Sequence, residues 1–134
     1  MKLDHIGIAV ANLEESMKFY GQVLGLDISA PEDLPDRQLR ICMVDLGVGD
    51  ANVELLWPTH PDSAVAKFIE KKGPGIHHLC YRVDDLAAEI KKLAAAGVKM
   101  IDSQPRPGAH NTLVAFVHPR SAGGVLTELA QKRS

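Results

Sequence analysis

A run near the middle of the chain, His77-His78-Leu79-Cys80-Tyr81-Arg82-Val83, repeats the plan of the opening Asp4-His5-Ile6-Gly7-Ile8-Ala9-Val10. In each, a histidine begins a mostly apolar stretch that ends at a valine, and an Asn or Asp then leads into an amphipathic helix. His5 and His78 stand 73 positions apart, and at nearly the same offset Glu54, in Asn52-Val53-Glu54-Leu55-Leu56, finds its partner Glu128, in Leu126-Thr127-Glu128-Leu129-Ala130. A chain built twice from one plan has few folds open to it. Each copy, of about 60 to 70 residues, would expose an apolar sheet face unless packed on the other copy or on a second subunit. The 134 residues therefore read as a single domain, 1–134, long enough to bury a core without disulfides.

Taken in order, Leu3 to Val10 reads as a strand, and Asn12 with Glu15 three residues later as a capping box. Leu13, Met17, Tyr20 and Leu24 recur at helical spacing as one apolar stripe, closed by Gly25. Leu26 to Ser29 is a short strand, Pro31 to Arg37 a rigid loop, and Leu39–Leu46 with Asn52–Trp57 a hairpin around Gly47-Val48-Gly49-Asp50. This is the first βαβββ module, 1–57. A linker helix within 58–75, capped by Asp62 or Ser63, turns Val65, Phe68 and Ile69 inward and Lys67, Lys71 and Lys72 to solvent.

The second module, 76–134, repeats the order. Asp84-Asp85 supplies a cap, Leu86, Ile90, Leu93 and Ala94 form the stripe, and Gly97 ends it. Val98–Ile101 is a short strand, Pro105–Asn111 a loop, Thr112–Val117 a strand, His118–Gly124 a turn, and Val125–Leu129 the closing strand. The fold class is thus α+β, with tandem βαβββ modules.

A net charge of −2 with both signs dispersed, and no basic stripe or run of aromatic residues, argues against nucleic acid as a partner. A local basic pocket for a small anion stays open. Cys42 and Cys80 lie singly in apolar stretches and read as reduced core thiols. No secretory leader pattern is evident and no apolar run approaches 18 residues, so the expectation is a cytoplasmic protein with no membrane association.

Glu54 and Glu128 each sit inside an apolar strand, where an unpaired carboxylate costs several kcal/mol. A divalent cation would offset that cost while taking neutral imidazole and carboxylate oxygen. Packing of the halves about a pseudo-twofold axis would bring His5, Glu54, His78 and Glu128 together, with positions left for water or substrate oxygen. Neighbouring strand residues face opposite ways, so register with His5 selects His78 and leaves His77 either to support a ligand from behind or to a structural role. An open site of hard ligands beside carboxylates suits proton removal next to a carbonyl.

With these passages, together with Phe19-Tyr20, Leu24-Gly25-Leu26, Gly75-Ile76-His77-His78-Leu79, Pro105-Arg106-Pro107-Gly108-Ala109-His110 and Gly123-Gly124-Val125-Leu126, the chain resembles the vicinal oxygen chelate superfamily. Its methylmalonyl-CoA epimerase branch is the nearest, and the resemblance covers essentially the whole chain. The resemblance implies a curved mixed sheet around a metal site, with His5, Glu54, His78 and Glu128 as ligands of one divalent ion. Cobalt is favoured, with nickel, zinc, manganese and magnesium open. It implies Glu128 as one acid/base residue. The other falls in Leu34-Pro35-Asp36-Arg37-Gln38, where Asp36 stands in place of the branch's glutamate, one methylene shorter. The implied reaction interconverts the C2 epimers of an acyl-CoA through an enolate. The phosphates of coenzyme A would need a positive rim, for which Arg106 and Lys67 are the candidates, and the apolar modules point to a homodimer. The rival readings are a glyoxalase I-like lactoylglutathione lyase, a metal-dependent dioxygenase, and a nonenzymatic small-ligand binder on the same scaffold.

Overall fold

The computed structural model describes Met1–Ser134, which divide into two compact units, His5–His77 and Met1–Asp4 with His78–Ser134; each boundary falls within a strand, which is named with the unit that holds most of it. The first unit runs β1 (Lys2–Ala9), α1 (Leu13–Lys18), β2 (Asp27–Ile28), β3 (Glu32–Leu34), β4 (Leu39–Asp45), β5 (Asn52–Pro58) and α2 (Ala64–Lys72). Its strands lie in the order β2-β4-β5-β1, with β3 also paired to β4. The β1–β5 pair is parallel and the others antiparallel. Strand alternation divides the sheet's residues between two apolar clusters. Val10, Cys42, Val44, Val53 and Leu55 pack with Leu13, Met17 and Tyr20 of the first helical segment. Ala9, Leu39, Ile41 and Leu56 pack with Val65, Phe68 and Ile69 of α2. Burial pushes the Cys42 thiol pKa up, as expected of an inert core thiol.

The second unit holds β6 (Gly75–Arg82), α3 (Leu86–Ala95), β7 (Arg106–Gly108), β8 (Thr112–Val117) and β9 (Thr127–Lys132), with strands in the order β6-β9-β8-β7. Here β6–β9 is the parallel pair. Val83, Leu86, Ile90, Ala115, Val117 and Leu129 form the cluster under α3. Each helix starts on the side chain its residue types call for. Asn12 Oδ1 accepts from the Glu15 amide at 3.1 Å, Ser63 Oγ from Ala66 at 2.9 Å and Asp85 Oδ1 from Ala88 at 3.1 Å.

Several expectations are corrected. After Lys18 the helix widens into a π-turn, Phe19–Val23, closed by the Leu24 amide on the Phe19 carbonyl at 2.9 Å. The wider turn rotates Leu24 off the stripe, leaving it 51% exposed, and Leu26 packs in the cluster instead, after Gly25 at φ +73°. Ala94, at the end of α3, is likewise exposed. The loop Pro31–Arg37 contains β3 and a 3-10 turn, Pro35–Arg37, while the loop Pro105–Asn111 contains β7 and a left-handed turn at His110 and Asn111. Only the single bridge Met100–Val117 forms where a strand Val98–Ile101 was expected. The closing strand starts later, at Thr127, after Gly123 and Gly124 at positive φ.

These packing differences have a direct consequence. Leu13→Ala, which empties a buried site, is expected to cost about 2–4 kcal/mol, whereas Leu24→Ala should stay within about 0.5 kcal/mol. Urea unfolding of the two variants checks this, and equal losses would restore Leu24 to the core.

Candidate functional site

In the first unit, β1 turns His5, Gly7 and Ala9 to the face opposite α1. The parallel register sets His5 against Asn52, Gly7 against Glu54 and Ala9 against Leu56, and on the far side Met43 of β4 stands across from Glu54. Glu54 therefore has no side chain beside it at Gly7 and meets His5 on the diagonal. His5 Nε2 lies 3.8 Å from Glu54 Oε1, with the two side chains only 10% and 12% exposed.

The second unit repeats the construction. Glu128 of β9 lies between Cys80 of β6 and Phe116 of β8, and His78 is again two residues back along the first strand of the pair. His78 Nε2 is 3.2 Å from Glu128 Oε1, and these side chains are 5% and 6% exposed. The Phe116 ring meets the His78 ring edge to face at 6.0 Å. His77, on the other side of its strand, packs its ring edge to face against Phe68 of α2 at 4.9 Å, in keeping with a structural role.

Over residues 4–116 the chain matches the model of the Glyoxalase/Bleomycin resistance protein/Dioxygenase superfamily. The chain belongs to this superfamily. Among its relatives, the mitochondrial methylmalonyl-CoA epimerase of Dictyostelium discoideum is 42% identical over 98% of this chain and 78% of that protein. The ethylmalonyl-CoA/methylmalonyl-CoA epimerase of Cereibacter sphaeroides is 39% identical over 97% of each. The crystal structure of methylmalonyl-CoA epimerase from Mycobacterium tuberculosis superimposes with a TM-score of 0.92, at 37% identity, over 99% of this chain and 89% of that one. The α+β class and the tandem βαβββ plan accord with this superfamily.

The donor set of each unit suits the divalent cation such proteins employ. Two atoms bound to one ion at about 2.0–2.2 Å stand at most about 4.4 Å apart. Separations of 3.2 and 3.8 Å both satisfy that limit. A buried imidazole nitrogen and a buried carboxylate oxygen form the mixed N/O set of a catalytic site, not the closed thiolate set of a structural one.

Of the residues singled out in the sequence, His5 meets Glu54 and His78 meets Glu128. Asp36 is exposed on the 3-10 turn between β3 and β4, with Pro35 before it and Gln38 at φ +54° closing the turn. Sequence reasoning missed Asp102. Its Oδ2 accepts from the Phe116 amide at 2.8 Å and its Oδ1 from Arg106 Nε at 3.0 Å. Arg37 was also missed, and its Nη2 is buried with no hydrogen-bond partner.

Cation binding should appear as stability. At a hundredfold excess over Kd, a divalent cation should stabilise the chelator-stripped protein by about 2.7 kcal/mol. In His78→Ala and Glu54→Ala most of that gain should disappear. Thermal melts with and without added Co²⁺ measure it, and an undiminished gain in both variants would place the ion elsewhere.

Proposed function

We propose that the chain is a metal-dependent epimerase that interconverts the C2 epimers of methylmalonyl-CoA by proton transfer through an enolate. The observation that carries this reading is the His–Glu pair, largely removed from solvent, set on the same cross-strand diagonal in each unit. Epimerase relatives matched over nearly the full chain support it. In this reading His5, Glu54, His78 and Glu128 together hold one divalent ion, with Co²⁺ the first to test.

The hydrogen at C2 lies between a thioester carbonyl and a carboxylate. When bound, the cation would polarise the carbonyl and lower the pKa of that C–H. Glu128 is the base on one face. It is buried, with Cys80 and Phe116 across from it on the neighbouring strands, and that enclosure keeps water from the proton it moves. Asp36 is the base on the opposite face. Its aspartate side chain is shorter than the branch's glutamate, and a misplacement of about 1 Å costs as much as a hundredfold in rate. The 3-10 turn that carries it must therefore make up the reach. One proton leaves on one face and another arrives on the other, so the product is inverted at C2 with no change in oxidation state.

Methylmalonyl-CoA carries its negative charge on the coenzyme's phosphates and the acyl carboxylate, and the orphaned Nη2 of Arg37, beside Asp36, is a donor that a substrate oxygen would satisfy. We place the enzyme in the cytoplasm as a homodimer. Its two cysteines are free, no helix is long and apolar enough to cross a membrane, and Phe19, Val23 and Leu24 offer exposed apolar surface to a second copy.

The test is deuterium incorporation at C2 of methylmalonyl-CoA in deuterated water, followed by mass spectrometry beside a chiral assay of the product. The cation-loaded protein should exchange and epimerise. Glu128→Gln should lose both by about a hundredfold or more. Asp36→Asn should lose epimerisation to a similar extent yet keep exchange of a single epimer, because one base survives. No exchange by protein with its cation bound would sink the epimerase reading and bring a glutathione hemithioacetal forward as substrate. Normal epimerisation by Asp36→Asn would remove that residue from the mechanism.

A further inference from the structure

The two units perform one structural task with different chemistry. In the first, Ser29 Oγ accepts the amide of Met43, the residue across from Glu54, at 2.9 Å. In the second, 73 positions later, Asp102 Oδ2 accepts the amide of Phe116, the residue across from Glu128, at 2.8 Å. A neutral hydroxyl is enough for that hydrogen bond. Asp102 adds a second oxygen and a negative charge on a side chain that is largely buried, which is unfavourable unless a cation balances it. Arg106 is that cation: its Nε donates to Asp102 Oδ1 at 3.0 Å, and its guanidinium carbon lies 5.5 Å from the centre of the Phe116 ring.

We infer that Asp102 is a positioning residue that holds Arg106 over Phe116, and that Arg106 receives an anionic oxygen group of the substrate. This rests on the epimerase reading and extends it to how the thioester is seated. Phe116 links the cation to the site, since it stands across from Glu128 and its ring meets that of His78 at 6.0 Å. The exposure profile agrees: Asp102 is 17% exposed and Arg106 46%, against 5% for His78, so the guanidinium lies at the rim and not at the buried centre. The contact to Asp102 uses Nε, which leaves the two terminal amino groups for a bidentate oxyanion. Pro105 and Pro107 flank Arg106 and restrict its backbone, so little freedom is lost when an anion binds. The anion is either a phosphate of coenzyme A or the free carboxylate of the acyl group.

Two substrates separate these sources. Methylmalonyl-CoA carries both anions, whereas methylmalonyl-pantetheine keeps the carboxylate and thioester but has no phosphate. In the cation-loaded enzyme, Arg106→Gln should raise KM for methylmalonyl-CoA about tenfold or more, with a smaller fall in kcat, and Arg106→Lys, which keeps the charge but not the two-pronged donor, should recover only part of the loss. Asp102→Asn keeps an acceptor for the Phe116 amide, so a purely structural Asp102 would leave KM alone; the positioning role raises it. A rise confined to methylmalonyl-CoA, with weaker coenzyme A binding by calorimetry, assigns the phosphate, and a rise on both substrates assigns the carboxylate. An unchanged KM on both in Arg106→Gln overturns the inference. If the wild type turns over neither substrate, the epimerase reading fails by itself and calorimetry decides: coenzyme A binding weakened by Arg106→Gln supports the anion site, and unchanged or absent binding overturns it.

Discussion

A carboxylate on an inner strand survives burial only beside something that balances it, and both units meet that demand with one cross-strand diagonal. In the β1–β5 pair the histidine lies two residues before the position facing the glutamate, and in the β6–β9 pair the same offset recurs. A slip of one residue would turn every side chain of the strand to the other face and send the histidine into the cluster under the helix. The parallel register is thus what the chemistry depends on, and the packing enforces it. Val53 and Leu55 belong with the first helix, Glu54 with His5; Leu129 belongs under α3, Glu128 with His78.

Within that shared frame the units are not equivalent. Glu54 is flanked by Gly7 and Met43, whereas Glu128 is enclosed by Cys80 and Phe116, so the second carboxylate is more buried and closer to its histidine. In the proposed mechanism the more enclosed of the two glutamates is the one that also moves a proton. The looser pair, with glycine beside it, fits a residue whose task is to hold a cation.

How much of this was legible in the sequence follows from what repeats. His5, Glu54, His78 and Glu128 could be picked out because each recurs at an offset of 73 or 74 positions in an apolar strand, and the caps Asn12, Ser63 and Asp85 because their residue types have few other uses at those places. The short strands β3 and β7 were hidden by proline. Pro31 and Pro35 bracket one and Pro107 lies within the other, which reads as loop even though an edge strand tolerates it. Leu24 was misplaced because helical spacing assumes 3.6 residues per turn, and the π-turn breaks that count. The strand expected at Val98–Ile101 is reduced to the single bridge Met100–Val117, after which the side chain of Asp102 takes the Phe116 amide.

Asp102 escaped notice for a reason that bears on duplicated folds generally. A search for equivalent residues finds what both copies kept, and those positions answer to the fold and to the His–Glu pairing common to both. Ser29 and Asp102 occupy the same place, bind the same backbone group and differ in charge, so a test for identity passes over them. The substrate of a single site need not be symmetric even when the scaffold is. A thioester with a long anionic tail approaches from one side, and only one copy needs to meet it. Asymmetry is then expected where backbone demands are satisfied equally by a neutral and a charged side chain, because there the charge is free to serve the ligand. Asp102 with Arg106 meets that condition, and Ser29, which carries no charge and holds no arginine, marks what the fold alone requires.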